Sequence, residues 1–196
     1  MAGGLRHGFK AEAERLSLAI RREFGLHPYA PINCVDVCRE LGITTIAVPD
    51  LLASGASPLS IRNILSPQAR FSAMTVAAGS RRVIVYNPSH PAGRRANSLA
   101  HELSHILLEH PLLPALGTGG CRLWNSTLEA EADWQAGTLL VPRDAALAWI
   151  RSGASIEDGA AHFGVSVALF QWRTNQTGVV RQLAASSFSP RRQRSA

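Results

Sequence analysis

The sequence predicts an α+β domain in which a small antiparallel or mixed three-stranded sheet packs on helices. Two observations support this fold class. The chain has 196 residues, of which 46% are hydrophobic and 17% are charged, as in ordinary globular domains. Short segments rich in β-branched residues occur only between residues 43 and 86, whereas helical patterns precede them and follow them. Strands that are segregated from helices in this way are typical of α+β proteins.

The first half of the chain contains the predicted strands. Residues 9–24 repeat apolar side chains at helical spacing, and residues 33–41 predict a shorter helix with Asn33 as its N-cap. Residues 49–67 are rich in Pro, Ser and Gly and predict no clear element beyond a turn of helix. Three short segments predict strands, of which the last two form a β-hairpin: residues 43–48, 71–77 and 83–86.

The second half of the chain predicts helices alone. A long helix lies within residues 89–111, between a Ser and Pro that suit its start and a Pro that ends it. A second helix lies within residues 125–142 and begins on the capping-box pair Ser126 and Glu129. The remaining elements are a short helix over residues 144–151 and a helix–turn–helix over 155–176, capped by Ser155 and Ser166.

We expect one main domain with a small appendage. Residues 1–150 form the main domain, residues 151–182 form a small C-terminal helical module of the same fold, and residues 183–196 form a flexible basic tail. The net charge of the chain is +6, and three of the positive charges are the arginines of this tail. A basic tail can touch nucleic acid electrostatically, but such tails are usually solvated.

The sequence predicts a cytoplasmic protein without a membrane partner. The first residues lack the apolar stretch of a secretory signal. The most apolar segment, residues 99–116, contains three His, two Glu and two Pro, so it cannot cross a bilayer cheaply. The three cysteines, Cys34, Cys38 and Cys121, lack the spacing of a disulfide framework, which fits a reducing compartment.

The segment His101-Glu102-Leu103-Ser104-His105 carries the strongest indication of chemistry. Residues four apart lie on one face of a helix, so the two imidazoles can bind one Zn²⁺. Glu102 can reach a water on the metal, whose pKa zinc lowers toward ~7, and can take its proton. We therefore predict that His101 and His105 are metal ligands and that Glu102 is the general base of a hydrolysis.

A catalytic zinc site usually has a third protein ligand, and the sequence leaves its identity open. The candidates are Glu129, Glu131 and Asp133 on the next long helix. Periodicity does not choose among them, because Glu129 and Glu131 flank the apolar face of that helix on opposite sides. His110 is out of register with the histidine pair, and we expect it to cap the helix end or to meet solvent.

Three pieces of the sequence, taken in order, resemble the ImmA/IrrE family of metallo-endopeptidases. The pieces are the arginine-led RRANSLAHELSHILLEH, the segment EAEADWQAG, and the leucine pair and proline of TLLVP. The strand VIVYNP and the C-terminal VSVALFQWRTNQTGV are also similar to the family pattern. The resemblance covers roughly residues 10–182, is strongest over 83–142, and implies a zincin-like HExxH helix.

The resemblance implies a complete zinc site in residues 1–150. One Zn²⁺ per chain would be held by His101, His105 and Glu131, with Glu102 as the general base, so the resemblance chooses Glu131 over Glu129. Ser104 departs from the family's usual glycine, and Asp133 stands where the family often has asparagine. Asp133 can accept a hydrogen bond from a ligand imidazole, although a plain helix charge is an equal interpretation.

The resemblance also implies a partner. Better-understood family members act in bacterial gene control and cleave a repressor protein, often one with a helix–turn–helix. Some members carry a fused N-terminal DNA-binding domain, whereas this sequence begins directly with the peptidase region. We therefore expect a zinc endopeptidase that makes a limited cut in a separate protein, a helix–turn–helix repressor encoded nearby.

Two other classes of function compete with this hypothesis. The helix–turn–helix pattern suggests DNA binding, but within SVALFQWRT only Arg173 is basic, whereas a recognition helix offers several base-reading polar residues. Direct nucleic-acid binding is therefore not expected. The second alternative is a non-proteolytic, antitoxin-like regulatory protein that keeps zinc for structure. Glu102 argues against it, because a structural site has no use for a base beside the ligands.

Overall fold

The computed structural model describes residues 4–66, 70–79, 81–111 and 125–178. Within these ranges the chain forms helices around a three-stranded sheet, which confirms the predicted α+β class. The described part of the chain contains no helix that is both long enough and apolar enough to span a membrane. The helices are α1 (Phe9–Glu23), α2 (Cys34–Glu40), a 3₁₀ helix (Val48–Ser54), α3 (Pro58–Leu65), α4 (Ala92–Leu107), α5 (Ser126–Leu140), α6 (Arg143–Arg151), α7 (Ile156–Phe163) and α8 (Val167–Gln176).

The sheet is mixed, with the strand order β1-β3-β2. The strands are β1 (Thr44–Ala47), β2 (Ala73–Ala78) and β3 (Arg81–Tyr86). β1 runs parallel to β3, with Thr44 opposite Val83, and β2 runs antiparallel to β3 as the predicted hairpin requires. Alternate residues of the central strand β3 point to opposite faces of the sheet. Ile84 accordingly packs into the main helical core, while Val83 and Val85 pack into a second apolar cluster on the other face.

The second apolar cluster, which contains Val83 and Val85, explains two helices that were not predicted from the sequence. The 3₁₀ helix and α3 occupy residues 48–65, where no clear element was predicted. Pro58 stands at the first position of α3, where its missing N–H costs nothing, and Ile61 is buried against the sheet. The helix has apolar residues at helical spacing, Ile61, Ile64 and Leu65, which all pack in this cluster, but it is only eight residues long and lies in a segment rich in Pro, Ser and Gly. Packing on the sheet, rather than local pattern, stabilises this helix.

The predicted caps of α7 and α8 are confirmed, and the predicted cap of α5 is wrong. Ser155 and Ser166 cap α7 and α8 as predicted, because their hydroxyls accept hydrogen bonds from Asp158 N and Leu169 N. The capping box that was predicted for α5 is wrong. Asn125 is the N-cap residue, and its side chain accepts from two backbone N–H groups of the first turn. Glu129 is therefore not engaged in capping.

The C-terminal helices share the main core with the rest of the chain. Ala160, Phe163 and Phe170 belong to the same buried cluster as Leu103 of α4 and Leu139 of α5. Cys34 and Cys38 are also buried in this core, where burial raises the pKa of their thiols to about 12 and about 11. The predicted boundaries of the domain and module stay predictions, and the basic tail and Cys121 lie outside the described residues.

Candidate metal centre

The two histidines of the HExxH segment face α5 from α4. Their Nε2 atoms lie 3.1 Å apart, as the one-turn spacing on a helix predicts. Glu129 of α5 completes a triangle, because its Oε2 lies 3.3 Å from Nε2 of His101 and 3.8 Å from Nε2 of His105. One ligand atom from each of these three residues thus lies within 4.8 Å of the others.

This triangle has the dimensions that a metal ion needs. Ligand atoms at about 2.0–2.1 Å from a tetrahedral zinc ion lie about 3.3 Å from one another. The distances of 3.1, 3.3 and 3.8 Å agree with that separation. Two imidazole nitrogens and a carboxylate oxygen are also the donors that zinc uses in catalytic sites. The residues therefore fit a metal ion, with His101, His105 and Glu129 as the candidate ligands.

Glu131, the third ligand that the family resemblance implied, is not in the group that converges with His101 and His105. Its side chain is 6% exposed, and its Oε1 accepts a hydrogen bond from Nε of Arg6 at 3.0 Å. Residues two apart on a helix point about 200° from each other, so only one of the two glutamates can face α4. The packing of α5 turns Glu129 toward the imidazoles. We therefore replace Glu131 with Glu129 as the candidate ligand.

Asp133 contacts Nδ1 of His101, the ring nitrogen that does not face Glu129. Its Oδ1 lies 2.8 Å from Nδ1 of His101, which leaves Nε2 of that ring for a metal. Burial lowers the pKa of His101, but the hydrogen bonds to Asp133 and Glu129 outweigh burial and raise that pKa to about 9. Hydrogen bonds from His101 and His105 hold the pKa of Glu129 well below its usual range. The carboxylates of Asp133 and Glu129 thus stabilise a positive charge at this position.

The candidate base contacts the sheet. Glu102 Oε2 accepts a hydrogen bond from Oγ1 of Thr75 at 2.8 Å. Thr75 belongs to the edge strand β2, so the sheet contacts the HExxH segment through this strand. The sequence analysis did not identify Thr75, because nothing in a short alternating strand marks one threonine as a partner of a distant glutamate.

His110 differs most from its prediction. It was expected to cap the helix or to meet solvent, yet it is 5% exposed and its Nδ1 lies 2.9 Å from Nδ1 of His105. Helix α4 ends at Leu107, and Glu109 takes a left-handed conformation with φ 55°. The His110 N–H then donates to the His105 carbonyl at 2.9 Å, which folds the ring back under the helix. Burial, followed by the nearby charge of His105, lowers the pKa of His110.

Comparisons with known proteins identify the family of the chain. No curated protein matches the chain. The Peptidase_M78 family, described as the IrrE N-terminal-like domain, matches residues 38–175, which is more than two thirds of the chain. The match spans the sheet, both helices that carry the candidate ligands, and most of the C-terminal module. The chain therefore belongs to the Peptidase_M78 family and is a metallopeptidase of the IrrE type.

Proposed function

We propose that this protein is a zinc endopeptidase of the cytoplasm that makes a limited cut in a transcriptional repressor. The observation that carries the proposal is the convergence of His101, His105 and Glu129, with Glu102 next to His101 in the same helix and its charge contributing to the raised pKa of His101. A structural zinc site has no use for a base at this position. The resemblance to peptidases that cleave helix–turn–helix repressors supports the choice of substrate, because the geometry itself carries no information about sequence preference.

His101, His105 and Glu129 would hold the metal. When bound there, Zn²⁺ makes a water molecule more acidic and polarises the carbonyl of a peptide bond. The two neutral imidazoles and one carboxylate leave a net positive charge on such a site, which favours that role. Asp133 holds the ring of His101 so that its Nε2, rather than its Nδ1, points to the metal.

Glu102 would move the proton. Thr75 donates to its Oε2 at 2.8 Å, which leaves Oε1 free of that contact and available to take a proton from the attacking water. The protonated carboxyl then gives this proton to the nitrogen of the leaving amine, which prevents expulsion of an unstable amide anion. Thr75 keeps the carboxylate from rotating between these two steps.

The test compares wild-type protein with Glu102→Gln. We expect about one zinc per chain in both proteins, because Glu102 is not a ligand. The wild type should cut the repressor encoded beside its gene at a single bond, detected by intact mass, and Glu102→Gln should leave it whole. Cleavage that survives in Glu102→Gln would refute the mechanism, and a wild type that binds no zinc when supplied with it would refute the function.

A further inference from the structure

A line of polar side chains extends behind His105, on the side away from the candidate metal. Nδ1 of His105 lies 2.9 Å from Nδ1 of His110. Nε2 of His110 lies 3.5 Å from Oε2 of Glu131, and Oε1 of Glu131 accepts from Nε of Arg6 at 3.0 Å. His110 and Glu131 are almost fully buried. Polar groups in such a position must satisfy one another, so their hydrogen-bond directions are tightly constrained.

The protons of this line can be placed by counting donors and acceptors. A neutral imidazole carries one N–H and one acceptor nitrogen. If Nε2 of His105 is a metal ligand, the proton of that ring must be on Nδ1 and must be donated to Nδ1 of His110. His110 then carries its own proton on Nε2, which is buried, makes no hydrogen bond within the described residues, and lies 3.5 Å from Oε2 of Glu131. The ionised Glu131 in turn is neutralised by Arg6.

A hydrogen bond donated in the opposite direction, from His110 to His105, would block the metal site. If His110 donated from Nδ1 to His105, the proton of His105 would be on Nε2, between His101 and Glu129. It would then occupy the atom that the metal needs. The buried carboxylate of Glu131 selects against this arrangement, because it offers an acceptor to Nε2 of His110 and would face a bare lone pair if that nitrogen lost its proton.

We propose that His110, Glu131 and Arg6 are positioning residues that fix His105 in the tautomer whose Nε2 faces the metal. The inference rests on the proposed metal site and gives Glu131 a role different from that of a ligand. Asp133 does the same for His101 directly, but its side chain is 68% exposed. Behind His105, by contrast, His110 and Glu131 are buried, where an electrostatic interaction is stronger than in water, and only Arg6 at the end of the line is half exposed.

Arg6 connects this role to a part of the chain outside the family match. The match begins at residue 38, whereas Arg6 lies just before α1. Its Nη2 also pairs with Glu12 at 2.8 Å, and its guanidinium lies over the ring of Phe9, 5.0 Å from the centroid. The contact with the fully buried ring of Phe9 holds Arg6 beside Glu131, whereas the side chain of Glu12 is 42% exposed and contacts a different nitrogen of the guanidinium. The N-terminal segment thus contributes to the metal site without supplying a ligand.

The experiment measures the zinc dissociation constant of the full chain by competition with a chromogenic chelator. We expect Glu131→Gln and His110→Phe each to keep one zinc per chain but to weaken its binding about 10–100-fold, the usual effect of losing such a partner. Arg6→Lys keeps the charge and should be closer to wild type than Arg6→Met. The matched control is Glu12→Gln, which removes the other partner of Arg6 and should bind zinc like the wild type.

A second measurement detects the tautomer itself, which a merely structural role would not affect. In the zinc-bound wild type, ¹⁵N-labelled His105 should show a protonated Nδ1, and Glu131→Gln should broaden or shift this signal while Asp133→Asn should not. Equal zinc affinity in Glu131→Gln and Glu12→Gln would overturn the inference but leave the proposed function intact. So would complete loss of zinc from Glu131→Gln with retention by Glu129→Gln, which would make Glu131 the ligand.

Discussion

Arg173 is a buried charge that depends on Glu14 for its neutralisation, and removing that partner is a sharp test of the structure. Nη2 of Arg173 donates to Oε1 of Glu14 at 2.8 Å, and its Nε donates to the carbonyl of Val141 at 3.0 Å. The arginine side chain has no exposed surface. Burial lowers the pKa of Arg173, and the charge and hydrogen bond of Glu14 oppose that effect. Glu14→Gln removes the opposing charge while keeping the size of the side chain.

The expected loss of stability follows from these contacts. Removing one partner of a buried ion pair costs about 3–5 kcal/mol, because it leaves an uncompensated charge. Glu14 is 23% exposed, so water reaches it, and glutamine keeps an acceptor for the backbone N–H of Arg143. We therefore expect Glu14→Gln to lower the free energy of unfolding by about 2 kcal/mol, since a hydrogen bond to a charged group is worth that much. For a chain of this size the melting temperature falls by about 4–8 °C.

The assay is urea unfolding of the metal-free chain, monitored by circular dichroism. The control is Asp36→Asn, which breaks an exposed pair with Arg39 at 2.7 Å and should cost no more than about 0.5 kcal/mol. Adding Arg173→Met to Glu14→Gln removes the stranded charge and should recover part of the loss. If Glu14→Gln lowers the free energy of unfolding no more than Asp36→Asn does, the Arg173–Glu14 pair behaves like a surface contact and the role proposed for it is refuted.

Three further predictions concern the site and its supports. In the metal-free protein the pKa of His101 is raised to about 9, so protonated His101 stabilises the fold fully below pH 6.5, and this stabilisation is lost as the pH rises through 9. Thermal unfolding in chelator should therefore show the free energy of unfolding falling by up to about 3 kcal/mol between these pH values. Gly159→Ala places a Cβ 2.5 Å from the ring of Phe170 and should destabilise by about 1–3 kcal/mol in urea unfolding. Asn125→Ala removes the cap of α5 and should cost about 1 kcal/mol in the same assay.

Each of these predictions has a matched control. Asp133→Asn weakens the support of His101 and should flatten the pH dependence, so an equally steep profile in that variant would contradict the assignment. Phe170→Leu should relieve part of the clash of Gly159→Ala, since Nε1 of Trp149 also lies 2.8 Å from the new methyl, and strictly additive losses would mean that residues 159 and 170 do not collide. Asn125→Ser keeps a capping oxygen, and a loss as large as that of alanine would show that the cap is not the cause.

The fold class and the histidine pair could be predicted from the sequence because both depend on local geometry. The β-branched segments and the hairpin follow from periodicity over a few residues, and the caps Ser155 and Ser166 follow from hydrogen bonds to the next turn. The shared face of His101 and His105 is a property of one helix turn, so backbone geometry brings these two side chains together wherever the helix lies. Their rotamers then set the 3.1 Å between the two Nε2 atoms.

Only the tertiary structure decided the rest of the site. The choice between Glu129 and Glu131 depends on the rotation of α5 against α4, which is set by the apolar packing of many residues at once. The burial of His110 depends on a left-handed turn at Glu109 and on the space beneath α4. Because periodicity places these glutamates on opposite sides of α5 without saying which side meets another helix, the contact between helices had to be seen before a third ligand could be chosen.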